Sequence, residues 1–549
     1  MLMTKMVSSM EKCFPESRPS RFPEYTSCTA LRGMQVSYQI FYMESDLSKA
    51  PKEFYRPILS GSLAPYATLR SVEYIPSLMP VYPRSESDTG FLKTTPGLYP
   101  DLLLPLHHDG CVVAVPGQCR SLWVDIKLPT DELARGKHTL KLCLELNGEC
   151  VDVGTFTVKL KDTVLPVSTY PVTQWFHCDC LADYYNVPVF SEAHWRIIEG
   201  FMRVAVQNGI NTVLTPVFTP PLDTHKGGER PTVQLVDVVK SGNKYTFSYS
   251  RLDRWIELCQ RLGVQNFEIS HLFTQWGAEA APKIVATVDG EEKQIFNGAT
   301  DATGEEYISF LQQFLPCFID HMKQKGLDRR CFFHISDEPN PEHIDKYRSA
   351  KNAVKECLKG YVTMDALSDY CYYEEGLVET PVIATHHMQA FLKNKVDNVW
   401  AYYCCGSAPG VSNRFFAMGG WRTRSIGYQM YANRSVGFLQ WGYNFYYNQG
   451  SYDLVNPYLD STGNYFSPSG DCYSVYPAEN GEAYESVRLL QFREALEDRQ
   501  LLEMAERLYG RRKTESIMKK TVGKTGFSDS ATSAEPILLL REKLLTLFE

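Results

Sequence analysis

The first third of the chain has the pattern of short β-strands. Apolar residues alternate with others in one stretch, at Leu140, Leu142, Leu144 and Leu146. A spacing of two is typical of a strand that buries one face. Similar segments, separated by turn residues, continue from residue 34 to about residue 166. The pattern predicts an antiparallel β-sandwich over residues 1–168.

Beyond that boundary, strands alternate with helices. One helix is predicted over residues 194–206, where apolar residues recur every three or four positions. Another is predicted over residues 305–322, and Pro316 is expected to kink it or end it. Eight apolar segments are predicted to be strands: residues 171–179, 211–218, 266–273, 331–339, 361–366, 381–387, 399–405 and 436–443.

Eight strand–helix alternations predict an α/β fold, a TIM-type (β/α)8 barrel over residues 169–510. Amphipathic helices are predicted toward the C-terminus, at residues 482–509 and 536–548. Residues 511–549 are therefore expected to form a helical extension that packs on the barrel. In a barrel of this type, the chemistry lies at the C-terminal ends of the strands and in the loops that follow them.

Composition and charge exclude several classes of protein. The 549 residues include 56 Lys and Arg against 64 Asp and Glu, a net charge of −8, so the chain lacks the basic surface that binds nucleic acids. No apolar stretch approaches the ~18 residues of a membrane span. Lys5, Glu11 and Lys12 interrupt any apolar run that could serve as a secretory signal. With 16 scattered cysteines, the protein is expected to be cytoplasmic and free of structural disulfides.

Asp337 and Glu338 are the leading candidates for catalytic residues. They end the fourth predicted strand, where Pro339 and Pro341 release the chain from the sheet. At that point, both side chains can turn toward the mouth of the barrel. Two close carboxyl groups repel, so one of them can keep its proton near neutral pH and act as a general acid. In the alternative interpretation, the pair only faces the N-terminus of the next helix, where anions are favoured.

Aromatic residues are concentrated near the end of the predicted barrel. Residues 400–447 contain 14 aromatic side chains, and sugars have flat C–H faces that stack on such rings. Tyr, Asn and Arg side chains can in addition form hydrogen bonds with sugar hydroxyls. The candidate substrate-binding residues are His177, His271, Tyr402, Arg414, Trp441, Tyr443 and Asn444. For the aromatic rings, packing in the core is the alternative.

The sequence predicts no metal and no cofactor. Cys178 with Cys180 and Cys404 with Cys405 lack the second pair of ligands that a zinc site requires. His386 and His387 could be ligands, but adjacent side chains on a strand point to opposite faces. The chain also has no G-x-S-x-G segment, no Walker loop and no G-x-G-x-x-G after a strand. Acyl transfer, nucleotide hydrolysis and dinucleotide-dependent redox chemistry therefore lose support.

Three segments together resemble a known family. Residues 333–347 (FHISDEPNPEHIDKY), 419–446 and 485–508 are similar to the signature stretches of the domain of unknown function 4091, which is grouped with glycoside hydrolase family 123. The resemblance implies an exo-acting β-N-acetylgalactosaminidase that cleaves a glycan or glycoconjugate with retention. It further implies that Glu338 is the acid/base. Asp337 would orient the 2-acetamido group of the substrate, whose carbonyl oxygen attacks C1 to give an oxazolinium-like intermediate.

Two other functions stay open on the residues alone. A retaining glycosidase with two catalytic carboxylates would use Glu338 with a second acid across the sugar, such as Asp365 or Glu268, at a carboxyl separation of ~5–5.5 Å. A protein that only binds carbohydrate, or serves as a scaffold, would need no catalytic group. Such a protein would have no need to hold two like charges together.

Overall fold

Two five-stranded sheets form the N-terminal part of the protein. The computed structural model describes residues 1–49, 53–83, 88–106, 109–225 and 228–549. The strands of this part are β1 (Leu2–Ser8), β2 (Ser27–Arg32), β3 (Gln35–Glu44), β4 (Phe54–Ser60), β5 (Ala67–Ser77), β6 (Gly97–Pro105), β7 (Val112–Val113), β8 (Arg120–Lys127), β9 (Gly136–Leu146) and β10 (Glu149–Val164). One sheet has the order β1-β3-β8-β5-β6 and the other β2-β10-β9-β4-β7. Neighbouring strands are antiparallel, except that β2 and β10 run parallel.

The alternation predicted for β9 is confirmed. Leu140, Leu142 and Leu144 are buried, because every second side chain of a strand points to the same face. That face belongs to a core to which both sheets contribute. Within this core, the ring of Tyr38 from β3 stacks on the ring of Phe156 from β10, at 4.1 Å between centroids.

A closed barrel of eight parallel strands follows the two sheets. In chain order, the elements are β11 (Val172–Gln174), α1 (Cys178–Tyr184), α2 (Glu192–Gln207), β12 (Thr212–Thr215), β13 (Asp237–Ser241), β14 (Lys244–Ser248), α3 (Ser250–Leu262), β15 (Asn266–Ile269), β16 (Ile284–Val288), β17 (Glu291–Phe296), α4 (Glu305–Gln324), β18 (Cys331–Phe333), α5 (Ile344–Val354), β19 (Val362–Leu367), α6 (Cys371–Glu374), β20 (Thr380–Ala384), α7 (Met388–Lys393), β21 (Trp400–Tyr402), α8 (Gly420–Ala432), β22 (Gly437–Gln440), β23 (Val475–Pro477), β24 (Ala483–Glu485) and α9 (Val487–Tyr509). The barrel order is β11-β12-β15-β18-β19-β20-β21-β22.

Each of the eight segments predicted to be a strand contributes one strand to this barrel. The number and direction of the strands are those of a TIM barrel. The segments that follow β12 and β15 also form a separate four-stranded sheet, β14-β13-β16-β17. Both segments leave the barrel at the C-terminal ends of β12 and β15. Asp337 and Glu338 lie at this same end of the barrel.

Helix α4 continues through Pro316 and does not end there. Proline lacks a backbone N–H and crowds the carbonyl one turn earlier, which here belongs to Gln312. Both residues are exposed, so water can bind the carbonyl that Pro316 leaves free. The opposite face of the helix, which includes Phe310 and Phe314, is fully buried and holds the helix in place. No helix in the described ranges is long and apolar enough to cross a membrane.

The last two helices are α10 (Arg511–Val522) and α11 (Glu535–Leu545). Leu540 and Leu544 of α11 are buried in the same core as the N-terminal sheets. The carboxylate of Glu542 accepts a hydrogen bond from the backbone N–H of Thr29, at 3.0 Å. Helix α11 also contacts α8 and α9 of the barrel. The C-terminal segment therefore packs against the sheets and the barrel together.

One disulfide contradicts the prediction that all cysteines are free thiols. Cys143 and Cys150 are bonded across the hairpin of β9 and β10, with their Cα atoms 5.8 Å apart. The short hairpin brings the two strands together, and this separation lies within the range that a disulfide spans. The alternation of β9 predicted the strand but not the partner of its cysteine.

Candidate active site

Asp337 and Glu338 lie in the turn after barrel strand β18, at its C-terminal end. The backbone N–H of Glu338 donates to the carbonyl oxygen of Ala366 in β19, at 3.1 Å. The carbonyl oxygen of Asp337 accepts from the N–H of Trp276, at 2.8 Å. Glu338 has a φ of +41°, a left-handed conformation that costs a non-glycine residue ~1–3 kcal/mol. Backbone contacts on both sides therefore hold the pair in a conformation that the isolated turn would avoid.

The two carboxylates have different surroundings. Asp337 is buried, and its Oδ2 accepts a hydrogen bond from Nε2 of Gln275, at 2.7 Å. Burial, followed by the negative charge of Glu338, raises the pKa of Asp337 well above its ordinary value. Glu338 is partly exposed, and its Oε1 accepts from the hydroxyl of Tyr402, at 2.5 Å. The structure thus gives one acid a buried position and the other a position open to solvent.

Of the predicted substrate-binding residues, Tyr402 is the one whose side chain bonds directly to the pair. It is the last residue of β21 and is almost fully buried. Burial, and then the charge of Glu338, raises the pKa of its hydroxyl well above the ordinary value. The hydroxyl therefore stays protonated at neutral pH and donates to Glu338.

His177, Trp441 and Asn444 form a connected group at the ends of β11 and β22. The backbone N–H of His177 donates to Oδ1 of Asn444 at 2.9 Å, and Nδ2 of Asn444 donates back to the carbonyl of His177 at 3.0 Å. Nε2 of His177 lies 2.8 Å from the carbonyl oxygen of Trp441. Burial, and then the charge of Arg230, lowers the pKa of His177 to about 4. His177 is thus neutral at physiological pH, and its bonds connect the first and last strands of the barrel.

Arg414 uses its donors on the protein itself. Its guanidinium group donates to Oε1 of Gln174 at 3.0 Å and to the carbonyl oxygens of Gly442 and Asp471. The side chain is buried, and burial lowers its pKa to about 10. The carboxylate of Asp471 accepts from the indole N–H of Trp441 at 3.1 Å. Arg414 thus holds loops together, whereas Trp441 is only half-buried.

His271 packs against His334, which precedes Asp337 by three residues, and makes no hydrogen bond through its ring within the described residues. Both of its ring nitrogens are buried without a hydrogen-bond partner there. The ring stacks on His334 at 4.2 Å and meets the edge of Trp175 at 5.3 Å between centroids. Burial, and then the charge of His334, lowers the pKa of His271 well below its ordinary value. A buried imidazole with both nitrogens unpaired can still bind a polar ligand.

Tyr443 packs in the core and is not brought to the pair. Its hydroxyl donates to the carbonyl oxygen of Phe201 at 2.9 Å, and its ring stacks with Phe176 at 5.9 Å. The side chain is fully buried. Within the ranges that the structure describes, no cluster of three or more His, Cys, Asp or Glu side chains could hold a metal ion.

The family model of the glycoside hydrolase 123 catalytic domain matches residues 175–505, which include barrel strands β12 to β22 and the Asp337–Glu338 pair. The chain belongs to glycoside hydrolase family 123. The protein is therefore a glycoside hydrolase, and the alternative of a protein without catalytic function is set aside. No curated protein matches the chain.

The fold of this family 123 member is similar to that of a solved structure from the same family. The family 123 glycoside hydrolase from Clostridium perfringens, studied for its hydrolysis of glycolipid glycans, has a TM-score of 0.73 and 15% identity, over 100% of this chain and 98% of the other. A family 5 glycoside hydrolase from Bacteroides vulgatus has a TM-score of 0.31 and 10% identity, over 59% of this chain and 67% of the other. An endo-β-1,4-mannanase from Thermotoga petrophila has a TM-score of 0.33 and 12% identity, over 60% of this chain and 77% of the other. The last two similarities are too distant to support a conclusion.

Two groups next to the pair in this family 123 enzyme were not predicted from the sequence. Gln275, which bonds Asp337, lies in the loop after β15 and has no distinctive spacing. His334 directly follows β18 and contacts Glu268 and Asp365, two acids that the sequence offered only as alternative catalysts. A histidine three residues before Asp337 was a weak signal, because nothing local shows which side chains surround it.

Proposed function

We propose that this enzyme is a retaining exo-glycosidase that removes terminal β-linked N-acetylhexosamine, with N-acetylgalactosamine as the preferred sugar, through an oxazolinium intermediate. The observation that carries the proposal is the adjacent pair of carboxylates, one buried and one partly exposed, each with its own hydrogen-bond donor. Adjacent acids cannot stand on opposite faces of a sugar, as an acid and an enzyme nucleophile must. They can serve together when the substrate supplies the nucleophile.

The state of the other acids supports this proposal over a mechanism with two catalytic carboxylates. Glu268 and Asp365 are fully buried. Oε1 of Glu268 accepts from the indole N–H of Trp175 and lies next to Nε2 of His334, each at 2.7 Å, and Oε2 accepts from Thr173 at 2.6 Å. Both oxygens of Asp365 are likewise hydrogen-bonded. An oxygen so occupied is a poor nucleophile toward an anomeric carbon.

In the proposed mechanism, Glu338 protonates the glycosidic oxygen as the bond to the leaving group breaks. The carbonyl oxygen of the 2-acetamido group attacks C1 from the other face, and Asp337 accepts a hydrogen bond from the acetamido N–H. The developing positive charge on the ring favours the ionised form of Asp337, whose charge is disfavoured by burial in the free enzyme. Glu338 then takes a proton from the water that opens the intermediate at C1. Two inversions give retention.

The proposed physiological substrate is a glycoconjugate with a terminal 2-acetamido sugar. The Clostridium perfringens enzyme, which shares this fold over the whole chain, was studied for its action on glycolipid glycans. The half-buried ring of Trp441 supports a sugar ligand, because an aromatic face can stack on the C–H groups of a pyranose.

Hydrolysis of four 4-nitrophenyl β-glycosides tests the choice of sugar. The N-acetylgalactosaminide is expected to be cleaved fastest and the N-acetylglucosaminide more slowly. The galactoside and the glucoside should be cleaved poorly, because they lack the internal nucleophile. A thiazoline analogue of the intermediate should inhibit the enzyme, since mimics of an intermediate bind more tightly than substrate. Equal hydrolysis of the β-galactoside and its 2-acetamido counterpart would show that the substrate does not assist.

Variants of the pair test the division of roles. Glu338→Gln should lose ~10²–10⁴-fold in kcat on an alkyl glycoside but much less on an aryl glycoside, whose leaving group needs little protonation. Asp337→Asn should reduce both rates alike, because the acetamido group is no longer aligned. Glu342→Gln, an exposed carboxylate in the same segment, is the matched control and should behave as the wild type. Full activity of Asp337→Asn would contradict the proposed role of Asp337.

A further inference from the structure

His334 directly follows β18 and lies between two buried acids. Its Nε2 is 2.7 Å from Oε1 of Glu268, and its Nδ1 is 3.2 Å from Oδ1 of Asp365. All three side chains are fully buried. Burial alone would lower the pKa of His334, but the hydrogen bonds and charges of Asp365 and Glu268 raise it to about 10. The direction of this shift favours a protonated His334, which lies between the carboxyl groups of Glu268 and Asp365.

Asp365 also binds the backbone that leads to the catalytic pair. Its Oδ1 accepts from the N–H of Ile335 at 3.0 Å, and its Oδ2 accepts from the N–H of Ser336 at 3.2 Å. The next residue of the same strand, Ala366, accepts the N–H of Glu338 at 3.1 Å. Strand β19 thus fixes the amides of residues 335, 336 and 338. These contacts oppose the conformational cost of the positive φ at Glu338.

We propose that Asp365 is a positioning residue, whose carboxylate holds the turn that presents Asp337 and Glu338, while His334 balances its charge. The proposal rests on the roles proposed above for the pair. A carboxylate can accept hydrogen bonds from two amides and an imidazolium at once, which a single amide oxygen cannot do as well. If the turn shifts by ~1 Å, the rate can fall by ~10²-fold, because the acid and the acetamido partner lose their alignment.

The same network also affects the charge of Asp337. Burial and the charge of Glu338 raise the pKa of Asp337, as described above. Among the other groups that face it, His334 lowers this pKa, Asp365 raises it and the hydrogen bond from Gln275 lowers it. Removal of the negative charge of Asp365 should therefore lower the pKa of Asp337, provided that Glu268 keeps His334 protonated.

The test is the variant Asp365→Asn, assayed for kcat, KM and the pH dependence of kcat. Asparagine has nearly the same size but no charge and one acceptor oxygen. We expect kcat to fall by ~10–100-fold with KM within about threefold, because the pair is misaligned while the sugar still binds. The acidic limb of the kcat profile should move to lower pH, because ionised Asp337 then persists to lower pH.

Asp101 supplies a matched control. It lies in β6, is fully buried, and is held by Arg488 at 2.7 and 2.9 Å and by the hydroxyl of Tyr476. Asp101→Asn should lower thermal stability but leave kcat and its pH profile unchanged in the folded protein. Asp365 also accepts a hydrogen bond from the hydroxyl of a buried tyrosine, Tyr347. Tyr347→Phe is therefore a milder test variant, and Tyr476→Phe is its matched control.

Unchanged kcat and pH profile in folded Asp365→Asn would overturn the proposal, as would an equal loss of kcat in Asp101→Asn. If Asp365→Asn does not fold, the two tyrosine variants test the proposal instead. Tyr347→Phe should lower kcat by ~2–5-fold, and Tyr476→Phe should leave kcat unchanged. The comparison is made on whichever 4-nitrophenyl glycoside the wild type cleaves best. Failure of the proposed sugar specificity therefore remains distinguishable from failure of the positioning role.

Discussion

Asp337 and Glu338 are neighbours in the chain, but their different burial suits them to different tasks. Asp337 is buried beside Glu338, so its charged form is unfavourable in the free enzyme, and the hydrogen bond from Gln275 offsets only part of that cost. A substrate N–H that binds there, followed by positive charge on the sugar, relieves that cost. Glu338 is partly exposed, and in the proposed mechanism it exchanges protons with the leaving group and with water. The assignment of roles thus follows from burial more than from residue type.

His334 should make stability depend on pH in the alkaline range. Its pKa is about 10 in the folded protein, against an ordinary value of 6.5. Above the ordinary value, the unfolded chain releases this proton while the folded protein keeps it. The contribution of His334 is therefore complete below about pH 6.5 and is lost toward pH 10, by up to ~1.4 kcal/mol of unfolding free energy per pH unit.

Denaturant unfolding at pH 7, 8 and 9 checks this prediction, with the wild type compared against His334→Gln. The variant cannot carry the proton, so its unfolding free energy should fall less steeply with pH. His138→Gln, at a partly exposed histidine of β9, is the matched control and should keep the slope of the wild type. Equal slopes for the wild type and His334→Gln would show that His334 is not a cation in the folded protein.

At the level of elements, the ends of the barrel strands position the site. The pair follows β18, Tyr402 ends β21, and Gln275 lies in the loop after β15. The strands are short and their backbone is fixed by parallel pairing on both sides. The segments beyond them are free to take unusual conformations, such as the positive φ of Glu338. A rigid barrel thus holds loops that carry the chemistry.

The hairpin of β9 and β10 allows a direct test of the disulfide. Alkylation of denatured, non-reduced protein, followed by peptide mapping, should find Cys143 linked to Cys150. Cys143→Ser should destabilise the oxidised protein by about 2 kcal/mol or less, since the closed loop is short. Cys317→Ser, at an exposed free cysteine, is the matched control and should change stability little. Complete alkylation of both hairpin cysteines before reduction would contradict the bond.

The whole molecule has a core that joins its N-terminal and C-terminal parts. Leu501 of α9, Met518 of α10 and Leu540 of α11 are buried together with side chains of the two sheets. The buried ion pair of Asp101 and Arg488 connects β6 to α9 in the same way. Helix α9 follows the last barrel strand in the chain, so its packing couples the sheets to the barrel. We expect the sheets and the barrel to unfold together.

Leu540→Ala tests this coupling far from the active site. Removal of the buried side chain should lower the unfolding free energy by ~2–5 kcal/mol. Loss of glycosidase activity and loss of sheet structure on heating should shift to lower temperature together. Leu539→Ala changes an exposed neighbour, 45% accessible, and serves as the control with little expected effect. If heating instead removed sheet structure while activity stayed at its original midpoint, the parts would be independent.

The sequence by itself determined the order of the elements and the position of the pair. Alternation in β9 and eight apolar segments are local signals, and they predicted one face of a sheet and all eight barrel strands. Asp337 and Glu338 stood out because two adjacent acids followed by prolines end a strand. The same reasoning placed Tyr402 at a strand end, where it bonds to Glu338. Each of these signals is contained in a few consecutive residues.

Only the tertiary structure decided which side chains meet. Gln275 reaches Asp337 across 62 positions of the chain, and Asn444 pairs with His177 across 267. Tyr443 has the same local setting as its neighbours but points into the core. Hydrogen bonds, burial and the resulting pKa shifts depend on atoms a few ångströms away in space, whatever their distance in sequence. Local periodicity therefore fixes the elements, while the barrel closure that brings their ends together fixes the chemistry.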